Sequence, residues 1–201
     1  MIQAIIFDCF GVLTSEGLLP FITTYFDKDP EKLAEAHSLV KQVVSGMLGY
    51  KELVIKLANL AGVSEQVAAQ QIETNVPNEQ LFQYIQTELK PRYKIGMLSN
   101  VGENRLDKFL TPQQLEMFDV IALSYEIGHI KPEPEAYQVA AGRLGVAPED
   151  CLFIDDQEHY CVGAKDAGLQ AIRYTSFEAM SRELQSLLAA KNSRPIPASG
   201  G

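Results

Sequence analysis

The chain of 201 residues has no tryptophan, only three cysteines, and a shortage of basic charge: 17 Lys and Arg face 26 Asp and Glu, for a formal net charge of -9. Each shortage excludes something. The cysteines, Cys9, Cys151 and Cys161, are odd in number and lie in or beside apolar stretches. That is no disulfide framework, and reduced thiols in a cytoplasmic protein are expected. None starts a C-x5-R phosphatase loop, because the residues six positions on are Ser15, Gln157 and Ala167. The acidic balance argues against nucleic acid or an anionic membrane as partner. Every apolar run is too short to span a bilayer, and the first has no basic segment before it, so neither a membrane span nor a signal peptide is expected. G-x-G-x-x-G, Walker A, H-E-x-x-H and G-x-S-x-G motifs are all missing, which removes the dinucleotide, NTPase, zincin and serine-hydrolase readings.

What remains is an ordinary globular composition, 46% hydrophobic and 21% charged, long enough to bury a real core. Ile2 to Phe7 is a short apolar run ending in Asp8-Cys9-Phe10-Gly11, which reads as a first strand and a turn. About sixty helical residues follow. Asp29-Pro30 and Ser64 open helices, Pro77-Asn78 precedes a fourth over roughly Gln80 to Leu89, and Gly46, Gly49 and Gly62 interrupt the pattern. After Lys90-Pro91 strands alternate with helices: Tyr93 to Leu98, Phe118 to Leu123, Cys151 to Ile154 and Leu169 to Tyr174 as strands, with helices over Arg105 to Leu110, Pro134 to Leu144, Glu158 to Ala167 and Phe177 to Ala190. Such alternation implies right-handed crossovers and a mainly parallel sheet. The expected fold is a three-layer, Rossmann-like α/β core of residues 1–15 and 90–190. A small all-α cap, 16–89, is inserted after the first strand, and residues 191–201 form a disordered tail rich in Pro, Ser and Gly.

Parallel strands deliver their ends to one edge, and that edge is where open α/β sheets bind ligands. Asp8, then Ser99-Asn100, then Asp155-Asp156 stand at strand ends, and the third strand runs into a segment holding Lys131. Taken singly these are ordinary capping residues and a loop lysine. Together they suit attack by a carboxylate on phosphorus. Paired acids would hold Mg²⁺, which prefers hard oxygen ligands, while the lysine, Ser99 and backbone N–H groups meet the phosphoryl oxygens.

In these motifs the chain resembles the haloacid dehalogenase-like (HAD) hydrolases of the subclass with a helical cap. The residues that carry the likeness are IIFDCFGVL, IGMLSN, Lys131-Pro132-Glu133-Pro134, and LFIDD with the helix ending Ala164 to Gly168. All four motifs occur in order and cover nearly the whole chain but the tail. The resemblance implies that Asp8 is the nucleophile and forms an aspartyl-phosphate. Ser99, Asn100 and Lys131 would bind the phosphoryl group. Asp8, the backbone carbonyl of Phe10, and Asp156 would hold Mg²⁺, with Asp155 assisting through water or from behind.

The pattern departs from the family at Phe10, where phosphatases usually carry a second aspartate that protonates the leaving group. Three functions are compatible: a phosphatase of small metabolites of the sugar-phosphate type, a 2-haloacid dehalogenase-type hydrolase, and a weak or binding-only relative. Retention of both Asp155 and Asp156 favours the first, since adjacent carboxylates without a cation repel each other. A response-regulator receiver has similar parts in a different order and no helical insertion. Substrate contacts are expected from residues 14–21 and 46–51 of the cap, in a monomer or a homodimer.

Overall fold

The computed structural model describes residues 1–192. The chain runs from β1 (Ala4–Phe7) into four helices, α1 (Leu18–Phe26), α2 (Pro30–Val44), α3 (Tyr50–Ala61) and α4 (Glu65–Ile72). Next come α5 (Glu79–Tyr84), a π-helical turn over Ile85–Leu89, and β2 (Lys94–Ser99). The remainder is α6 (Pro112–Leu115), β3 (Val120–Leu123), α7 (Ser124–Ile127), α8 (Pro134–Leu144), β4 (Cys151–Asp155), α9 (Glu158–Asp166), β5 (Gln170–Arg173) and α10 (Phe177–Asn192). No helix among the described residues is long and apolar enough to cross a membrane.

The five strands form one all-parallel sheet in the order β3-β2-β1-β4-β5, so β1 lies at its centre. Successive residues of a strand face opposite sides of a sheet. Here the alternation separates two apolar clusters. Ile5, Phe7, Ile95, Met97, Leu152 and Ile154 pack towards residues of α5, the π-turn and α10. Ala4, Ile6, Leu98, Cys151 and Phe153 pack towards α8 and α9. Helices on both faces explain why the strands read as nearly continuous apolar runs.

Helices α1–α4 enclose their own apolar cluster, built on Phe21, Ile22, Phe26, Leu39, Leu53, Leu57 and Ile72. Their starts follow the capping rules. Asp29 accepts the Lys32 N–H ahead of α2, and Ser64 accepts the Val67 N–H ahead of α4. The fourth helix expected in the cap goes elsewhere. Leu81, Phe82, Ile85 and Leu89 are buried with β1 and β2, so residues 79–89 belong to the sheet's packing and not to the cap cluster. Amphipathic spacing shows that a face is buried but not what buries it.

Three other expectations are corrected. The helix over Arg105 to Leu110 shrinks to a 3₁₀ turn at Leu106–Lys108, followed by the short α6 with a Thr111–Gln114 capping box. Strands β1, β3 and β5 are shorter than their apolar runs, β1 starting at Ala4 although Ile2 is buried. Lys191 and Asn192, expected in the tail, belong to α10, and the rest of that expected tail, 193–201, lies outside the described residues.

The link between β1 and the cap doubles back on itself. Thr14 bridges Pro77, Ser15 N–H donates to the Val76 carbonyl, and Asn78 N–H donates to the Leu13 carbonyl. Outgoing and returning chains are therefore paired beside the strand ends.

Candidate active site

Register puts the acids level. Phe7 pairs with both Met97 and Ile154, and the Asp8 N–H donates to the Ile154 carbonyl at 2.9 Å, so Asp8 leaves the central strand beside Asp155. Between them lies Lys131, from the loop after α7. Its Nζ donates to Asp8 Oδ1 at 2.5 Å and to Asp155 Oδ2 at 2.6 Å. All three side chains are buried.

Such burial needs a rigid loop, and Asn100 supplies it. Its Oδ1 accepts the Lys131 N–H at 2.8 Å, and its Nδ2 donates to the Lys131 carbonyl at 3.0 Å. Asn100, expected to meet phosphate, here uses both ends of its amide to position the lysine. The face of Tyr160 lies 4.7 Å from the ammonium and that of Phe153 5.3 Å, favourable ground for a cation.

Burial alone would lower the lysine's pKa, but Asp8 and Asp155 outweigh it and hold the ammonium above its usual value. Asp8 is raised as well. Burial raises it well above the carboxylate range, Lys131 pulls it back, and Asp155 adds to the rise. Burial, then Asp155, also raises Asp156.

Carboxylate oxygens of Asp8, Asp155 and Asp156 all lie within 4.8 Å of one another. Three carboxylates against one ammonium leave a negative site of hard oxygen donors, which is a set that fits Mg²⁺. Their remaining capacity differs. Asp155 takes Lys131 on Oδ2 and the Gln157 N–H on Oδ1, whereas Asp8 Oδ1 takes the lysine and Asp156 Oδ2 takes Gln157 Nε2. Among the described residues, Asp8 and Asp156 each keep an oxygen that accepts no hydrogen bond from another residue, and Asp155 does not.

Ser99 ends β2 with a buried Oγ that has no hydrogen-bond partner, and Thr14 Oγ1 is buried and unpartnered too. Orphaned buried hydroxyls are rare, and a bound oxyanion is one way to satisfy them. Thr14 was noticed in the sequence only as part of the cap hinge.

Phe10 offers no side-chain polar atom to the site. Its ring packs edge-on against Phe109, 5.5 Å between centroids. Glu16, half-buried at the entry to α1, accepts the Leu19 N–H on Oε1. Burial, reinforced by Asp156, lifts its carboxyl to about 7. Glu16 falls in the 14–21 stretch expected to meet substrate, whereas the roles of Gly11 against Asp156 and of Tyr160 against Lys131 were not assigned by motif reading. A paired-acid strand and a glycine turn signalled where to look, but not these contacts.

Comparison with known proteins places this arrangement. Pyrophosphatase PpaX of Bacillus cereus (strain AH820) is 33% identical over 91 residues, 45% of this chain and 42% of the relative. The chain thus spans less than half the length of the curated relatives it matches. A HAD family enzyme from Bacteroides thetaiotaomicron shares the fold with a TM-score of 0.69 at 22% identity, over 91% of this chain and 98% of that one. The same enzyme has been solved in complex with magnesium and inorganic phosphate (TM-score 0.67, 23% identity, 91% and 99% covered). L-2-haloacid dehalogenase from Xanthobacter autotrophicus, with chloropropionic acid covalently bound, superposes with a TM-score of 0.62 at 22% identity, over 100% of this chain and 92% of that one. Residues 2–168 match the family model for haloacid dehalogenase-like hydrolases, and the chain belongs to that family.

Proposed function

We propose that this hydrolase is a Mg²⁺-dependent phosphatase, which moves the phosphoryl group of a small phosphorylated metabolite, of the sugar-phosphate type, first to Asp8 and then to water. The observation that carries the reading is the pairing of an acid-rich, under-neutralised site (Asp8, Asp155, Asp156, with Lys131 alone in opposition) with an unpartnered buried hydroxyl at Ser99. The pyrophosphatase similarity and the magnesium and phosphate bound by the Bacteroides enzyme point the same way.

Asp8 Oδ1 is tied to Lys131, so Oδ2 is the oxygen left to attack phosphorus. The new Oδ2–P bond forms as the ester P–O bond breaks, and the departing oxygen takes a proton from water. Lys131 steers Asp8 and offsets phosphoryl charge, and Ser99 Oγ donates to a phosphoryl oxygen, as expected where catalysis rests on placed dipoles and charges. Water then adds to phosphorus as the Oδ2–P bond breaks, which releases inorganic phosphate and restores the Asp8 carboxylate. Asp8, Asp156 and the Phe10 carbonyl would hold Mg²⁺, with Asp155 supporting them. The ion would supply the positive charge that lets a carboxylate approach a phosphate.

A dehalogenase reading has one observation in its favour: Phe10 cannot transfer a proton, and halide leaves without one. The charge of the site argues against it, because that reaction needs no cation, whereas three clustered carboxylates do. The test is a panel of phosphate esters and 2-haloacids with and without Mg²⁺. Phosphate release that requires Mg²⁺ and vanishes in Asp8→Asn is expected. Chelator-insensitive halide release would replace the proposal.

A further inference from the structure

Arg105 lies in the loop after β2, six residues beyond Ser99, and it is placed by both halves of the molecule. Its guanidinium carbon stacks 3.7 Å from the ring centroid of Tyr50, the first residue of α3 in the cap. It is 5.7 Å from the ring of Phe109, which in turn packs on Phe10 beside the nucleophile. Nη2 donates to Glu73 at the end of α4 at 2.7 Å, and Nε is 3.8 Å from Glu103. The loop itself is pressed onto the cap, since a Cβ at Gly102 would come within 1.9 Å of the Val43 carbonyl oxygen.

These contacts use the ring face, Nη2 and Nε. They leave Nη1, which is buried without a hydrogen-bond partner. Burial lifts the Tyr50 hydroxyl, and the guanidinium beside it opposes that rise both as a charge and as a hydrogen-bond neighbour, yet Nη1 meets no acceptor in hydrogen-bond geometry among the described residues. A buried donor of a charged group left unpaired bears the full desolvation penalty. A strap between cap and core would need only the stacking and the Glu73 pair, so the enclosed Nη1 calls for another partner. Guanidinium donates and never accepts, so that partner is an acceptor, and an anionic one binds best. Glu73 and Glu103 face the guanidinium and Glu16 acts on the neighbouring Tyr50, so the surroundings are acidic. An anion arriving under the cap therefore needs a local cation beyond Lys131, which the nucleophile already occupies.

We propose that Arg105 is a specificity-determining residue that binds a second anionic group of the substrate, a carboxylate or a further phosphoryl group, while the first phosphoryl group sits on Asp8. This selects small phosphate compounds that carry a second anionic group over simple monoesters. It rests on the phosphatase reading for the placement of the first group only.

The test is calorimetric binding in the presence of Mg²⁺, in an Asp8→Asn background that prevents turnover. Inorganic phosphate is compared with pyrophosphate and phosphoglycolate. Arg105→Gln should weaken the two larger ligands about tenfold or more while phosphate stays within about twofold, a selective loss typical of removing one charge-assisted contact. Glu73→Gln, which cuts the strap but keeps the guanidinium, should retain the preference, and Arg105→Lys should keep part of it. Melting curves check that each variant folds, with Arg105→Lys carrying the test if Arg105→Gln does not. Equal losses for all three ligands, no change, or a parent protein that prefers phosphate would each overturn the proposal. A separate result, no Mg²⁺-dependent turnover of any ester by the unmutated enzyme, would remove the phosphatase reading and leave a measured binding preference standing.

Discussion

A β-carbon built on Gly11 would lie 2.7 Å from both Cγ and Oδ2 of Asp156. The turn after the nucleophile therefore has no room for a side chain, and its φ of +89° favours glycine independently. The turn and the acid that faces it form one device. Gly11→Ala should cost about 1–3 kcal/mol from backbone strain and also push Asp156 out of line with Asp8. The expected outcome is a lower melting temperature, together with Mg²⁺ binding weakened about tenfold by calorimetry, the scale on which disturbed support around a metal is felt. Unchanged Mg²⁺ affinity in a folded variant would separate Asp156 from the metal.

Lys131→Met leaves a side chain of similar length and no charge between Asp8 and Asp155. Removing one partner of a buried ion pair strands the other, at a cost of about 3–5 kcal/mol. Urea unfolding should show that loss, and phosphate release should fall below detection. Asp8→Asn is the milder change for stability, because an amide oxygen still accepts from the ammonium. A Lys131→Met protein as stable as the parent would mean that the carboxylates are already neutral without the lysine.

Much of this site was legible because it lies where strands end. Apolar runs closing in Asp8, Ser99 and Asp155-Asp156 are local signals, and parallel topology converts them into one cluster. The α8 helix was legible for a similar reason: Pro134 at its start and Gly145 after its end mark it locally. What stayed hidden depends on partners distant in the chain. The amide of Asn100 spans 31 residues to the Lys131 backbone, and no local pattern announces that. Residues 79–89 look like cap until their apolar face is seen against β1 and β2. Arg105 is one basic residue among 17 until the cap closes on it.

Glu16 provides a test through pH. Its carboxyl, ordinarily at 4.5, is raised to about 7 in the folded protein, mainly by burial. The folded state thus holds this proton more tightly than the unfolded state. By linkage, the stability contributed by Glu16 is fully present below its unfolded pKa and is lost as pH rises through the folded one. Glu16→Gln removes that dependence. Relative to the parent, the variant should gain stability steadily between about pH 4.5 and 7 and hold a constant advantage above it. Parallel stability–pH curves for parent and variant would show that Glu16 is solvated like an ordinary surface acid.

Phe10→Asp restores an acid where the chain has a ring. The ring now packs on Phe109, and losing such an aromatic pair costs about 0.5–1.5 kcal/mol beyond the buried area, so a lower melting temperature is expected. Catalytically the change should act selectively. A placed general acid is worth about 10²- to 10⁴-fold when the leaving oxygen needs its proton, and little when it does not. Rates for alkyl phosphates should therefore rise, rates for an aryl phosphate such as para-nitrophenyl phosphate should stay level, and the plot of log kcat against leaving-group pKa should flatten. A slope that does not move in a folded Phe10→Asp variant means the unmutated enzyme already protonates its leaving group from another residue. Glu16, held near neutral pH beside Asp156, is the group in place to do so. Glu16→Gln in the parent would then steepen the same plot, whereas an unaltered plot would leave water as the proton source.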